Sequence, residues 1–340
     1  MVQATPVKLT RKDYQSDQEV RWCPGCGDYT ILASVQNFLA EIAADRSKTV
    51  FISGIGCSSR FPYYINTYGM HSIHGRAPAI ATAIAVARPD LDVWVITGDG
   101  DALSIGGNHL IHMMRRNVNV KVLLFNNQIY GLTKGQYSPT SEMGKITKSS
   151  PMGSVDYPFS PVSLVLGAEA TFVARTMDMD RPHTLEVLRA AHEHRGTSFV
   201  EIYQNCNVFN DKAFDAVVSK STRDANQIRL TDGKPIRFGV ENERGVIFTP
   251  EGVAKIVDVA DVGEDAIAVH RADRLDPSQA FALSRLAHTP VGPTPLGIFR
   301  SVQRQTYGQV VQQQLIDARE RQGPGDLAAL FASGGTWEVT

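Results

Sequence analysis

This chain of 340 residues is poor in net charge, in long apolar runs and in cysteine, and each shortage removes a class of protein. Lysine and arginine number 34 against 35 aspartates and glutamates, a formal net charge of −1. That balance provides no global field to draw the chain to nucleic acid or to an anionic membrane. No stretch approaches the roughly eighteen uninterrupted apolar residues that a membrane helix needs. The first twenty residues carry Arg11, Lys12, Asp13, Asp17 and Glu19 where a secretory signal would have an apolar core. There is no internal repeat and no low-complexity tract. A cytoplasmic protein with no nucleic-acid and no membrane partner is expected. Only four cysteines are present, Cys23, Cys26, Cys57 and Cys206. In a reducing compartment, a Cys-x-x-Cys pair with two distant cysteines points to a metal site rather than a disulfide framework.

What is present is ample apolar material, 43% of residues, enough for one large α/β domain with an appendage or for two modest domains. From Cys23 to about Asp211 short β-branched and apolar runs alternate with helical periodicity. Thr49–Ser53, Val93–Thr97, Val120–Asn126, Ala170–Arg175 and Ser198–Tyr203 read as strands buried on both faces of a parallel sheet. Asp28–Ala44 places Ile31, Leu32, Val35, Phe38, Leu39 and Ile42 on one stripe, with Asp28 suited to cap its first turn. Thr184–Arg195 repeats the pattern. The sum is a doubly wound, mostly parallel α/β layer that binds ligands at the carboxyl ends of its strands. Tyr130–Phe159, rich in Gly, Ser, Thr, Pro and Lys, reads as a long functional loop. From Phe214 onward, prolines at 235, 250, 277, 290, 293 and 295 interrupt the apolar runs, and an amphipathic stretch follows around Val302–Arg319. The expected organisation is an N-terminal arm (1–21), a main domain (22–213) and a C-terminal extension (214–340) with few regular elements.

Two groups of residues carry chemistry. Four thiolates suffice for one [4Fe–4S] cluster, and the two-residue spacing of Cys23 and Cys26 lets one turn present two of them. The same four could hold a structural zinc, although zinc ribbons more often pair two Cys-x-x-Cys knuckles. Asp99 sits between Gly98 and Gly100 directly after one strand, and Asn127 ends the next. An Asp carboxylate, an Asn carbonyl oxygen and a main-chain carbonyl are hard ligands that could converge on a diphosphate-bound Mg²⁺, while the glycines let backbone amides approach a phosphate. Taken alone, the Gly-Asp-Gly run could be a simple turn.

Cys23-Pro24-Gly25-Cys26-Gly27, Gly54-Ile55-Gly56-Cys57-Ser58-Ser59, His74-Gly75-Arg76-Ala77, Gly98-Asp99-Gly100-Asp101 and Tyr130-Gly131-Leu132-Thr133-Lys134-Gly135-Gln136 occur in that order. Together they resemble the β subunits of 2-oxoacid:ferredoxin oxidoreductases, and most closely the 2-oxoglutarate-specific ones. The resemblance is strong from Trp22 to about Val208 and looser beyond. It implies a thiamine diphosphate-binding fold with Mg²⁺ held by Asp99, Asn127 and the carbonyl of Ile129. It further implies one [4Fe–4S] cluster on Cys23, Cys26, Cys57 and Cys206, with Gly56, Ser58, Ser59, His74, Gly75, Gly98, Gly100 and Asp101 around the cofactor. Arg60, where the family places a basic residue, would meet a substrate carboxylate. No catalytic residue is assigned on this chain.

The activity so implied is CoA-dependent oxidative decarboxylation of a 2-oxo acid, with electrons passed to ferredoxin. Run backward it fixes CO₂. Pyruvate or another 2-oxo acid remains an alternative substrate, as does a non-redox thiamine-dependent decarboxylase carrying a structural zinc. The glutamate that activates the thiamine pyrimidine has no visible counterpart here. An α subunit (or a fused αγ chain) is therefore the expected partner, supplying that Glu and the CoA site in an (αβ)₂ assembly.

Overall fold

The computed structural model describes residues 9–286, 292–337 and 339, so residues 1–8 of the expected N-terminal arm and Pro290 lie outside it. The strands are β1 (Thr49–Ser53), β2 (Tyr68–His71), β3 (Asp92–Gly98), β4 (Lys121–Asn126), β5 (Phe172–Met177), β6 (Ser198–Tyr203), β7 (Gln227–Leu230), β8 (Arg237–Phe238), β9 (Arg244–Phe248), β10 (Ala254–Asp258) and β11 (Thr294–Ser301). Eight of them form one sheet in the order β2-β1-β3-β4-β6-β5-β11-β7. From β2 through β5 every neighbouring pair is parallel. The helices are α1 (Asp28–Glu41), α2 (Ala77–Ala87), α3 (Asp99–Leu103), α4 (Gly107–Arg116), α5 (Pro161–Gly167) and α6 (Arg181–Glu193).

Strand side chains alternate between two separate cores. Val93, Val95, Val122 and Leu124 pack with α2, α4 and α5 on one face. Trp94, Ile96, Leu123 and Phe125 pack with α1 and α6 on the other. Burial on both faces explains why β4, β5 and β6 read as largely apolar runs with no polar face, broken in β5 and β6 by the buried Arg175 and Glu201. The chain leaves β1 toward β2 and returns to place β3 on the opposite side of β1. The strand order therefore reverses between β1 and β3, where doubly wound sheets open a crevice for ligands. Among the described residues no helix is long and apolar enough to cross a membrane.

Two readings are corrected. Gly27 occupies the cap position of α1, and Asp28 makes no capping bond; its carboxylate points elsewhere. The segment after Phe214 is also richer in regular structure than expected. β7 and β11 extend the main sheet across residue 213, β8 to β10 form an antiparallel sheet of three strands, and Tyr307–Gln322 is a helix capped by Thr306. β11 runs antiparallel to β5 with a register break between Ile298 and Arg300, and Gly297 within it has φ +118°. Pro295 and Gly297 inside a strand imitate loop punctuation, which is why the sequence pattern concealed it.

Candidate functional site

The loops that follow β1, β3 and β4 surround a cavity of about 540 Å³. Gly56, Cys57 and Ser58 come from the first loop, Gly98 to Asp101 from the second, and Asn127, Ile129 and Tyr130 from the third. Asp99 opens α3 and is 3% exposed. Its Oδ2 accepts hydrogen bonds from Ser138 Oγ at 2.5 Å and Thr140 Oγ1 at 2.6 Å. Burial pushes its carboxyl up to about 6 against the opposing pull of those two hydroxyls. A buried carboxylate held above its ordinary range is a group that a cation would stabilise. Asn127 Oδ1 accepts the Ile129 amide at 3.1 Å, which folds the chain so that Asn127 and Ile129 both face the cavity. The Asn oxygen keeps a second lone pair for a metal.

Asp101 works differently. Its Oδ1 accepts the amides of Ile55 at 3.1 Å and Gly75 at 2.9 Å and lies 2.9 Å from His74 Nδ1, while Oδ2 accepts Thr97 Oγ1 at 2.9 Å. One carboxylate thus ties together the loops after β1, β2 and β3. Asp101, expected beside the cofactor, lines the cavity and carries this tethering role as well. Two glycines make the convergence possible. A Cβ on Gly54 would lie 1.9 Å from Asp101 Oδ2, and one on Gly75, at φ +67°, would lie 2.5 Å from the Gly106 backbone.

The cysteines gather beside this cavity. Cys26 N donates to Cys23 O at 3.0 Å, closing a turn through Gly25 at φ +83°. Cys57 follows β1 and Cys206 follows β6, and a Cβ on Gly131 would come within 3.6 and 3.5 Å of their sulfurs. Burial, then the Asp28 carboxylate, then the other cysteines raise the Cys26 and Cys57 thiols, Cys57 to about 12. Thiols so strongly disfavoured as anions require bound positive charge to become ligands. Among the described residues no three His, Cys, Asp or Glu side chains close up enough to hold a metal ion by themselves. Gln204 Nε2 donates to Cys26 Sγ at 3.3 Å. Gln204 Oε1 and both oxygens of the buried Asp28 have no hydrogen-bond partner, and both residues line the cavity. Burial raises the Asp28 carboxyl to about 7. Unpartnered buried acceptors on a cavity wall fit a site that receives a polar group.

Residues 54–202 match the model of the thiamine pyrophosphate enzyme C-terminal TPP-binding domain. The chain is 59% identical over 330 residues to the 2-oxoglutarate oxidoreductase subunit KorB of Mycobacterium tuberculosis, spanning 96% of this chain and 88% of that one. It is 42% identical over 249 residues to a 2-oxoacid:ferredoxin oxidoreductase subunit beta from a Sulfolobus species, spanning 68% of this chain and 82% of that one. The chain belongs to the β subunits of the 2-oxoacid:ferredoxin oxidoreductases. A solved 2-oxoglutarate:ferredoxin oxidoreductase from Magnetococcus marinus, with 2-oxoglutarate, coenzyme A and succinyl-CoA bound, superposes with a TM-score of 0.76 at 34% identity over 97% of each chain.

In this β subunit, Gly56, Cys57, Ser58, His74, Gly98, Asp99, Gly100, Asn127 and Ile129 are brought to one cavity as the sequence suggested. Three expected neighbours are not on its wall. Ser59 is fully buried behind it with its hydroxyl unpartnered, and Gly75 packs against Gly106. Arg60 lines an adjoining cavity with Tyr63, Tyr64 and His71, which meets the first at Ile55, Gly56 and Leu132. Its Nη1 donates to the Arg21 carbonyl at 3.2 Å. Sequence reasoning missed Asp28, Gln204, Ser138 and Thr140. The first two lie two residues from a cysteine, and the last two form a hydroxyl cluster, Ser138-Pro139-Thr140-Ser141, inside the loop already read as functional.

Proposed function

We propose that this β subunit works with an α subunit in the CoA-dependent oxidative decarboxylation of 2-oxoglutarate to succinyl-CoA and CO₂, with electrons passing through a [4Fe–4S] cluster to ferredoxin and the reaction reversible. The observation that carries the reading is that Cys57 lies on the wall of the same cavity as Asp99, Asn127 and Ile129. A ligand of a redox group and the ligands of a diphosphate-bound metal therefore border one space. The choice of 2-oxoglutarate is supported by the names of the Mycobacterium tuberculosis relative and of the Magnetococcus marinus structure.

Thiamine diphosphate, when bound, supplies the carbon nucleophile and electron sink, and the cluster accepts the electron pair one electron at a time. The chain's own residues hold and orient. Asp99 Oδ1, Asn127 Oδ1 and the Ile129 carbonyl would hold Mg²⁺, with Asp99 Oδ2 already fixed by Ser138 and Thr140. The backbone at Gly98 and Gly100 would border the diphosphate. Cys23, Cys26, Cys57 and Cys206 would hold the cluster, and the Gln204 amide would donate to the Cys26 sulfur. Arg60, in the adjoining cavity, would meet a substrate carboxylate. The α subunit completes the pocket and the CoA site, in an (αβ)₂ assembly in the cytoplasm.

The test is copurification with the α partner and dye reduction across a panel of 2-oxo acids, alongside Asp99→Ala. 2-Oxoglutarate should be preferred, and Asp99→Ala should lower thiamine diphosphate affinity by orders of magnitude with iron content intact. Unchanged affinity in that variant would remove Asp99 from the metal site. Zinc in place of iron in the anaerobically purified protein would favour the non-redox alternative.

A further inference from the structure

A line of buried polar contacts crosses the sheet from the C-terminal segment to Asp99. Arg175 on β5 donates from Nη1 to the Pro295 carbonyl on β11 at 3.3 Å and from Nε to Glu201 Oε2 on β6 at 2.6 Å. Asn126 at the end of β4 donates from Nδ2 to Glu201 Oε1 at 2.7 Å. Asn126 Oδ1 lies 2.9 Å from Thr140 Oγ1, which in turn lies 2.6 Å from Asp99 Oδ2, just beyond β3. The order of these contacts is the order of the strands, β11-β5-β6-β4-β3. Arg175, Glu201, Asn126, Thr140 and Asp99 are each at most 3% exposed.

Every member is constrained. The Arg175 guanidinium lies over the rings of Tyr203 and Phe299, 5.2 and 5.3 Å from their centroids. Asn126 cannot turn over, because its amide donates to Glu201 while its oxygen accepts the Gln128 amide at 3.2 Å. Thr140 has one hydroxyl proton to offer between two acceptors, and the Asp99 carboxylate is the stronger of them. Asn126 Oδ1, held in place by Glu201, competes with Asp99 for that proton, and Thr140, with Ser138, sets which Asp99 oxygen is left for a metal.

We infer that Glu201 and Arg175, backed by the Pro295 carbonyl of the C-terminal segment, are positioning residues for the Mg²⁺ ligand Asp99, acting through Asn126 and Thr140. The inference rests on the proposed Mg²⁺–thiamine diphosphate site and assigns residues around 295 a part in it. A buried Arg–Glu pair is weak evidence for stability, since its Coulombic attraction often does no more than offset the cost of desolvating both charges. The contact at each end gives it a different use.

The test is a double-mutant cycle in the αβ complex, reading the Mg²⁺ concentration that half-saturates thiamine diphosphate binding, with iron content and melting temperature followed in parallel. Thr140→Val removes a charge-assisted bond to Asp99 and should raise that concentration tenfold to about a hundredfold, with Thr140→Ser restoring it. Glu201→Gln should raise it as well. The pair together should exceed the larger single effect only slightly, since both act through one line of contacts. Should Glu201→Gln fail to fold with full iron, Asn126→Ala takes its place in the cycle. Multiplying effects would overturn the inference, and so would a variant that melts earlier with unchanged Mg²⁺ dependence. Thiamine diphosphate binding that needs no Mg²⁺ in the unmodified complex would instead refute the site reading itself.

Discussion

Gly100→Ala should displace Tyr130. A Cβ on Gly100 would sit 2.1 Å from Tyr130 Cε1 and 2.7 Å from both Cδ1 and Cζ. Carbon contacts are comfortable near 3.5–4.0 Å, so the ring must retreat by more than about 1 Å. It is not free to do so at no cost, because its hydroxyl donates to the Gly100 carbonyl at 3.1 Å and its backbone amide to the Gln136 carbonyl at 2.8 Å. Overpacking of this kind costs about 1–3 kcal/mol, and losing the hydroxyl bond adds about 0.5–1.5 kcal/mol. The expected destabilisation is therefore about 2–4 kcal/mol. Because Tyr130 lines the cavity, thiamine diphosphate affinity should fall about tenfold with it. Thermal melting and calorimetry measure the two effects. The decisive comparison is in a Tyr130→Ala background, where Gly100→Ala should add almost nothing. A penalty undiminished by removing the ring would refute the argument and place the constraint on the backbone at Gly100.

Each Cys→Ser change at positions 23, 26, 57 and 206 should lower the iron content of anaerobically purified protein below about four per chain; full retention in Cys206→Ser would take that residue out of the ligand set. Arg60→Ala should depress kcat/KM for 2-oxoglutarate roughly tenfold to a hundredfold, and pyruvate less if the guanidinium reads the distal carboxylate. Equal loss on both would place it at the shared carboxylate, and no loss on either would leave its cavity outside the substrate path. His194 is buried beside Thr171 Oγ1 at 2.9 Å, and burial, aided by Lys121, lowers it to about 4. A base depressed in the fold binds its proton more readily once unfolded. Its contribution, up to about 3 kcal/mol, is thus present above the ordinary histidine range and lost as pH falls from about 6.5 through 4. Chemical denaturation across that window should steepen accordingly, and an equally steep acid limb in His194→Gln would exclude His194 as its source.

The legible parts of this protein were those where local pattern and environment agree. β1 and β6 fall on the expected residues because burial on both faces leaves short, largely apolar runs, and β5 begins two residues later than its apolar run suggested. The places of Asp99 and Asn127 on the cavity wall were legible because a polar residue at a strand end leaves a short, ordered signature. Asp28 was not, because an Asp opening a helix has an ordinary reason to be there, and only its lack of a partner in three dimensions removes that reason. Glu201 had no flanking pattern that pointed to a role. Its partners come from residues 75 positions before it and 26 before it, a separation no local window spans. Arg60 was expected at a substrate carboxylate because the family places a basic residue there, and the 3₁₀ turn over Ser58–Tyr63 carries it to the neighbouring cavity.

β11 also sets a schedule for the growing polypeptide. During synthesis β1 to β6 emerge well before residues 294–301, which then insert between β5 and β7. Until that insertion β5 keeps an open hydrogen-bonding edge, the kind of edge that invites pairing with another chain. Over the same interval Arg175 lacks the Pro295 carbonyl and the Phe299 ring that enclose it. A cavity whose lining residues all fall within the first two-thirds of the chain thus belongs to a sheet completed by a strand made near the end, and a ribosome-bound precursor would carry the cavity wall before its sheet is closed.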